Sequence, residues 1–213
     1  MQTILNTPDD PAHDSLVEKK SEFIGDAAHV DTLDEALAFV AAIREQHPKA
    51  RHVAYAAVCG GADGRLSERM SDDGEPSGTA GKPILDVLKQ SGTTDCVVAV
   101  TRYFGGILLG SGGLVRAYSS AASLAMKAAR AARIMTAKRY RVRLEYPQLA
   151  RFQQILAQLG GSQEDESYAV NVVLTAVVPQ ADCARFEERV REAFNAAVVP
   201  APIDMVNIPV PLA

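Results

Sequence analysis

The spacing of hydrophobic residues along the first 130 positions predicts alternating strands and helices. Short apolar runs between turn residues are typical of strands, and a three-to-four-residue spacing is typical of amphipathic helices. After a polar tail over 1–15, strands are predicted at 21–30, 52–59, 65–70 and 96–100, and helices at 33–47, from Pro83, and at 114–133; a turn is predicted at 60–64.

A second pattern begins after a boundary near 134–137. It predicts a strand at 138–146, a helix after Pro147, a strand at 167–178 with an optional short strand after Gly161, a helix from Asp182 and a strand at 203–208. This βαββαβ order is that of a ferredoxin-like domain. The sequence therefore predicts an α+β protein with a flexible tail at 1–15, a first domain at 16–134 and a second at 138–213.

The start of the first helix carries a capping box. Thr32 is followed three residues later by Glu35. The threonine hydroxyl is expected to accept from the Glu35 amide, while the Glu35 carboxylate reaches back to the Thr32 amide. Pro48 ends the helical pattern.

The strand at 138–146 places arginines on one face. Because side chains alternate across a strand, Arg139, Arg141 and Arg143 point away from Tyr140, Val142, Leu144 and Tyr146. The tyrosines are assigned to the buried side, which argues against base stacking on the open face. Two interpretations stay open for the arginines: a solvated sheet face, or a partner-binding surface.

Charge is distributed unevenly along the chain. The net charge is −4, unlike proteins that are basic all over, yet positions 101–152 hold ten basic residues and one acid. This segment could hold a polyanion while the acidic remainder repels it, or its basic residues could simply lie on the solvated faces of a helix and a strand. There is no run of eighteen apolar residues and no signal-peptide pattern, so a cytoplasmic protein without a membrane partner is expected.

Cysteines and histidines give no pattern for a metal or a disulfide. Cys59, Cys96 and Cys183 are widely spaced and are interpreted as small buried residues. No histidine spacing suggests a zinc site, and no cofactor motif or catalytic nucleophile motif is found. The sequence predicts no metal and no cofactor, and it favours a protein without catalysis while leaving that question open.

The stretch RYFGGILLGSGGLVRAYSSAA, at 102–122, resembles a nucleotide loop but fails the motif tests. Gly110-Ser111-Gly112 lacks the third glycine of GxGxxG, where Val115 stands. Near Gly81-Lys82, a Walker A loop fails because prolines occupy its first and last motif positions. Amides at Ser111, Gly112 and Gly113 could bind an anion at a helix start, assisted by Arg102 and Arg116. Alternatively, the glycines serve only turns and close packing.

The loop SDDGE brings Asp72, Asp73 and Glu75 together. Carboxylates in such a cluster could bind a metal or act as acid and base, but they could also simply order the loop. Arg51 and His52, at the start of a strand, could serve the same site or pair with these acids.

Four segments together resemble the YigZ/Impact family. They are KKSEFIG at 19–25, ARHVAYA at 50–56, SDDGEPSGTAGKPIL at 71–85 and VVAVTRYFGGILLGSGGLVRAYSSA at 97–121. The resemblance implies a first domain similar to domain 2 of ribosomal protein S5 and a ferredoxin-like domain similar to the last domain of elongation factor G. It also implies a link to translation, because the eukaryotic member Impact is a translational regulator.

These observations predict a non-catalytic binding protein that contacts RNA, the ribosome or a translation-associated protein. The predicted contacts are Arg102, Arg116, Arg139, Arg141 and Arg143. The alternative is an enzyme acting on a phosphorylated small molecule, with the glycine-rich loop as anion site and the SDDGE acids as metal or base groups. The oligomeric state is not predicted.

Overall fold

The structure is a computed structural model that describes residues 2–60 and 65–212. The chain divides into two compact units: one formed by 1–133 and 209–213, the other by 134–208. The turn predicted at 60–64 lies outside the described residues from Gly61 onward.

The first unit is built on an antiparallel sheet of order β2-β3-β6-β4-β5. Its five strands are β2 (Ala12–Glu18), β3 (Ser21–His29), β4 (His52–Gly60), β5 (Leu66–Ser71) and β6 (Cys96–Tyr103), and its helices are α1 (Leu33–Gln46), α2 (Gly81–Ser91) and α3 (Ser111–Ala128). A short strand β1 (Gln2–Ile4) pairs with the beginning of β7 (Ala131–Leu144).

Helices cover both faces of this sheet. One core joins α2 and α3 to β3, β4 and β6, with Phe23, Ile84 and Tyr118 fully buried. The other joins α1 to the opposite face through Phe39 and Ile43. Burial on both faces explains why the central strands read as continuous apolar runs.

The predicted helices and strands are present, with two corrections in the first unit. Residues 1–15, predicted as a flexible tail, contain β1 and the start of β2, and Ala12 is buried. The helix predicted to reach Arg133 ends at Ala128, because the chain turns to an extended conformation at Ala129 and enters β7. Alanine favours helix locally, but pairing between β1 and β7 gives those residues a strand conformation.

The start of α1 confirms one half of the predicted capping box. The Glu35 amide donates to Thr32 Oγ1 at 3.1 Å. The Glu35 carboxylate accepts from the amide of Asp31, one residue before the predicted donor, at 2.9 Å.

The second unit has the βαββαβ order expected of a ferredoxin-like domain. Its sheet order is β10-β7-β9-β8, and both helices pack on the face that carries Tyr140, Val142 and Leu144. The remaining elements are α4 (Leu149–Gln158), β8 (Ser162–Tyr168), β9 (Val172–Pro179), α5 (Cys183–Ala193) and β10 (Ala201–Pro211). The strand predicted at 167–178 is thus divided between the end of β8 and most of β9. The closer likenesses to ribosomal protein S5 and elongation factor G stay predictions.

Candidate functional site

Asp72 of the SDDGE loop caps the beginning of α2. Its carboxylate accepts hydrogen bonds from the amides of Gly78, Ala80 and Gly81, at 2.8, 3.0 and 2.9 Å. Burial alone would raise the pKa of Asp72, but these three amides outweigh it and hold the pKa below its usual value. The carboxylate therefore replaces the missing acceptors at the helix start.

Asp73 attaches the loop to the start of β4. Its carboxylate accepts from the Val53 amide and forms an ion pair with Arg44, each at 2.6 Å from Oδ2. His52 Nδ1 lies 2.7 Å from the Asp73 carbonyl oxygen. Since a carbonyl can only accept, Nδ1 carries the proton and Nε2 is left as the acceptor of the neutral ring.

Glu75 is buried and pairs with Arg102. Its Oε1 lies 2.5 Å from Arg102 Nη1 and 2.9 Å from the Tyr118 hydroxyl. Burial, followed by the negative charge of Glu75, raises the pKa of Tyr118, so the phenol stays protonated and donates. The Arg102 guanidinium also lies over the rings of Phe23 and Phe104, at 5.4 and 5.5 Å from their centres.

All three acids of the SDDGE loop thus have internal partners. Of the two interpretations of this loop, ordering of the chain accounts for each carboxylate. In the described part of the chain, no group of three or more histidine, cysteine, aspartate and glutamate side chains is arranged to hold a metal ion.

Arg102 is placed differently from the sequence prediction. It is predicted as a contact for a binding partner, but the structure buries it and balances its charge with Glu75. The reason is its position near the end of the central strand β6, between β3 and β4, where it faces the same core as Phe23. It does not belong to an exposed basic surface.

The glycine-rich stretch is held by close packing. A Cβ at Gly105 would lie 2.0 Å from the backbone carbonyl group of Lys20, and the Gly105 amide donates to Ser21 Oγ. Gly106 and Gly110 have positive φ angles of 85° and 72°. The structural interpretation of these glycines is therefore supported at the turn between β6 and α3.

Ser111, Gly112 and Gly113 form the first turn of α3, which lacks a side-chain cap. Arg116 is exposed, and its Nη1 lies beside Gly112. A pocket of about 410 Å³ next to Gly113 and Arg116 is also lined by Lys19 and Leu109, but by none of the SDDGE acids. Anion binding at this turn stays a prediction.

A smaller pocket joins two of the motif segments, 50–56 and 97–121. It has a volume of about 200 Å³ and is lined by Arg51, His52, Arg102, Phe104 and Leu108. Phe104 and Leu108 are 51% and 81% exposed. Sequence reasoning missed these two residues, although the signal was present: large apolar side chains next to or between the glycines of a turn.

The arginines of β7 alternate with buried residues as predicted. Tyr140, Val142 and Leu144 are buried, while Arg141 and Arg143 are exposed and have no ion pair within 2–60 and 65–212. Thr175 and Val177 of β9, paired with Arg141 and Arg139, are buried on the arginine face. The sheet centre on this face is therefore not open.

Arg139 differs from the other two arginines. Its Nε lies 2.8 Å from Glu164 on β8, and its Nη1 lies 3.7 Å from Asp204 on β10. The sequence has no acidic residue between the three arginines. In the folded sheet, however, Glu164 of β8 and Asp204 of β10 lie beside Arg139. Part of the predicted positive surface is thereby neutralised.

Tyr146 is a further correction. It lies in a 3-10 turn after β7, at 51% exposure, and its ring stacks on Tyr168 at 6.4 Å between centres. The strand ends at Leu144, so the alternation that predicted burial stops before Tyr146.

The cysteines behave largely as small apolar residues. Cys59 and Cys96 are buried and Cys183 is partly buried, and all three are free thiols. Burial raises the pKa of Cys59 to about 11, so this thiol stays protonated at neutral pH.

Comparisons with known proteins match these segments to one family. The Impact N-terminal domain matches 19–126, which includes the SDDGE loop and the glycine-rich stretch, and a domain of unknown function, DUF1949, matches 142–197. The chain is 40% identical to the IMPACT family member YigZ of Escherichia coli over 82% of its length and 85% of that protein. This chain belongs to the IMPACT family.

Two further relatives agree with the assignment. An IMPACT family member of Haemophilus influenzae is 36% identical over 85% of the chain and 88% of the relative. A crystal structure of a hypothetical protein is also similar. The alignment covers 95% of this chain and 97% of that protein's chain, at 35% sequence identity and a TM-score of 0.63. The resemblance to the IMPACT family identified from the four motifs is confirmed.

Proposed function

We propose that this IMPACT family protein is a non-catalytic, translation-linked regulatory protein that binds RNA, alone or in the ribosome, through exposed arginines. The observation that carries the proposal is the pair Arg141 and Arg143, which lie on one strand face without a carboxylate partner in the described ranges, in a chain of net charge −4. Unpaired guanidinium groups are suited to phosphate because they donate in a planar fork.

The translation link rests on the family, since the eukaryotic Impact protein is a translational regulator. A translation-associated protein partner is the other form of this proposal. It would bind without the steep salt dependence of phosphate contacts. No helix among the described residues is both long enough and apolar enough to cross a membrane.

The test is binding of a fluorescent oligoribonucleotide across a salt series. Phosphate contacts should make affinity fall steeply with salt, with a slope that decreases by about 0.7 for each contact removed. Arg141→Glu/Arg143→Glu should weaken binding strongly. Arg185→Glu/Arg191→Glu is the control because it removes the same charge from exposed positions on α5, on the other side of the sheet.

Two results would overturn the proposal. One is the absence of binding at low salt. The other is equal weakening by both double variants, because that result would mean that only net charge matters.

A further inference from the structure

One pocket is lined by Arg51, His52, Arg102, Phe104 and Leu108. Packing of the core does not explain this combination of side chains. Two large apolar side chains are exposed on its wall, where burial would otherwise be favourable. A guanidinium and an imidazole lie beside them. The combination is amphipathic: an aromatic surface, a cationic donor in Arg51 and an acceptor in His52.

We propose that this pocket binds one unpaired base of single-stranded RNA, with Phe104 as the stacking surface and Arg51 as the contact to an adjacent phosphate. This inference rests on the proposed function and names the part of the RNA that this unit recognises. The pocket residues belong to the first unit, and none of them is one of the β7 arginines on which the proposed function rests.

Phe104 contacts the protein on one side and is partly open to solvent. Arg102 lies 5.5 Å from its ring centre on one side, while about half of Phe104 is exposed. Gly105 follows it and packs against Lys20 without space for a Cβ, which restricts the backbone next to the ring. Unstacked bases bind to exposed aromatic rings that are held in this way.

The polar groups of the pocket fit a base and its phosphate. The hydrogen bond from His52 Nδ1 to the Asp73 carbonyl leaves Nε2 as an acceptor, and Nε2 has no partner in the described part of the chain. Every base carries an N–H group that can donate a hydrogen bond to such an acceptor. Arg51 is exposed and, among the described residues, has no carboxylate partner, so its charge is available to phosphate.

The size of the pocket also favours a base. Its volume of about 200 Å³ is large enough for one planar ring system. An aliphatic or phenyl side chain of a peptide would use the apolar wall, but it would leave the Nε2 acceptor of His52 unmatched because it has no N–H or O–H donor.

The chain contains no tryptophan, so Phe104→Trp introduces a single indole reporter. Titration with a short oligouridylate should quench its fluorescence, because a stacked base quenches indole emission. Leu66→Trp is the matched control: Leu66 is 50% exposed and pairs with Gly60 at the opposite end of β4 from His52. It should not respond.

Affinity measurements extend the test. Phe104→Ala should weaken oligouridylate binding by between about fivefold and a hundredfold, as loss of one stacked base does. Arg51→Gln should reduce the salt slope by about 0.7. Phe104→Tyr should retain binding, because it keeps the ring.

The outcomes separate this inference from the proposed function. If oligouridylate binds in a manner that depends on Arg141 and Arg143 but does not quench Phe104→Trp, the base pocket is wrong and the proposed function stands. If neither measurement detects binding, both fail. Equal quenching by an abasic ribose-phosphate oligomer, or a response to a short leucine-rich peptide and not to oligouridylate, would overturn base recognition.

Discussion

Arg102 and Glu75 form an ion pair of 2.5 Å between Nη1 and Oε1, and their side chains are only 8% and 3% exposed. The pair joins the SDDGE loop to the strand that enters the glycine-rich turn. Removal of one partner leaves a charge in the core, whereas the two charges together satisfy each other. The loop is therefore anchored by electrostatics from inside the fold.

Glu75→Gln is expected to lower the free energy of unfolding by about 3–5 kcal/mol, because Arg102 then stays buried without a counter-charge. Arg102→Met should lower the free energy of unfolding by a similar amount. The double variant should lose less than the sum of the two, and urea denaturation measures all three. Additive losses would contradict direct coupling between the side chains.

Asp72→Asn is expected to lower the free energy of unfolding by about 1–3 kcal/mol at neutral pH, because a charged acceptor of three amides is replaced by a neutral one. The folded pKa of Asp72 is lower than the unfolded pKa, so its contribution is present above the unfolded pKa and is lost as pH falls through the folded value.

The difference between wild type and Asp72→Asn should therefore shrink as pH decreases below about 4. Denaturation curves at several pH values measure this difference. Asp9→Asn is the control, since Asp9 is exposed. A difference that stays constant down to acidic pH would be inconsistent with this role of the Asp72 charge.

Gly105→Ala is expected to lower the free energy of unfolding by about 1–3 kcal/mol or more. The new Cβ would overlap the Lys20 backbone, so the structure must shift. Gly112→Ala is the matched control in the same glycine-rich stretch. Its Cβ would meet only Arg116 Nη1, at 3.7 Å, so the change should stay within about 0.5 kcal/mol. Thermal unfolding compares the two, and equal losses would contradict the packing explanation.

Glu164→Gln is expected to strengthen RNA binding at low salt, because it releases Arg139 from its closest acid. The salt slope should become steeper by up to about 0.7 if Arg139 then contacts phosphate. Glu188→Gln on α5 removes the same charge from the other side of the sheet and should have a smaller effect. Equal effects would show that net charge, and not Arg139, is responsible.

Features that depend on near neighbours could be predicted from the amino-acid sequence. Thr32 and Glu35 identified the start of α1, and alternation along β7 assigned Tyr140 and Arg141 to opposite faces. The four motifs identified the family. These features are local because a helix cap or a strand face is defined within a few residues.

Which distant residues meet depends on the way the chain packs. The fold pairs β1 with β7 across about 130 residues, places Glu75 beside Arg102 and brings Glu164 to Arg139. Identical arginines therefore have different environments: Arg102 is buried, Arg139 is neutralised and Arg141 is exposed. Charge and propensity are properties of a residue, but burial and pairing depend on the chain segments that the fold packs around it.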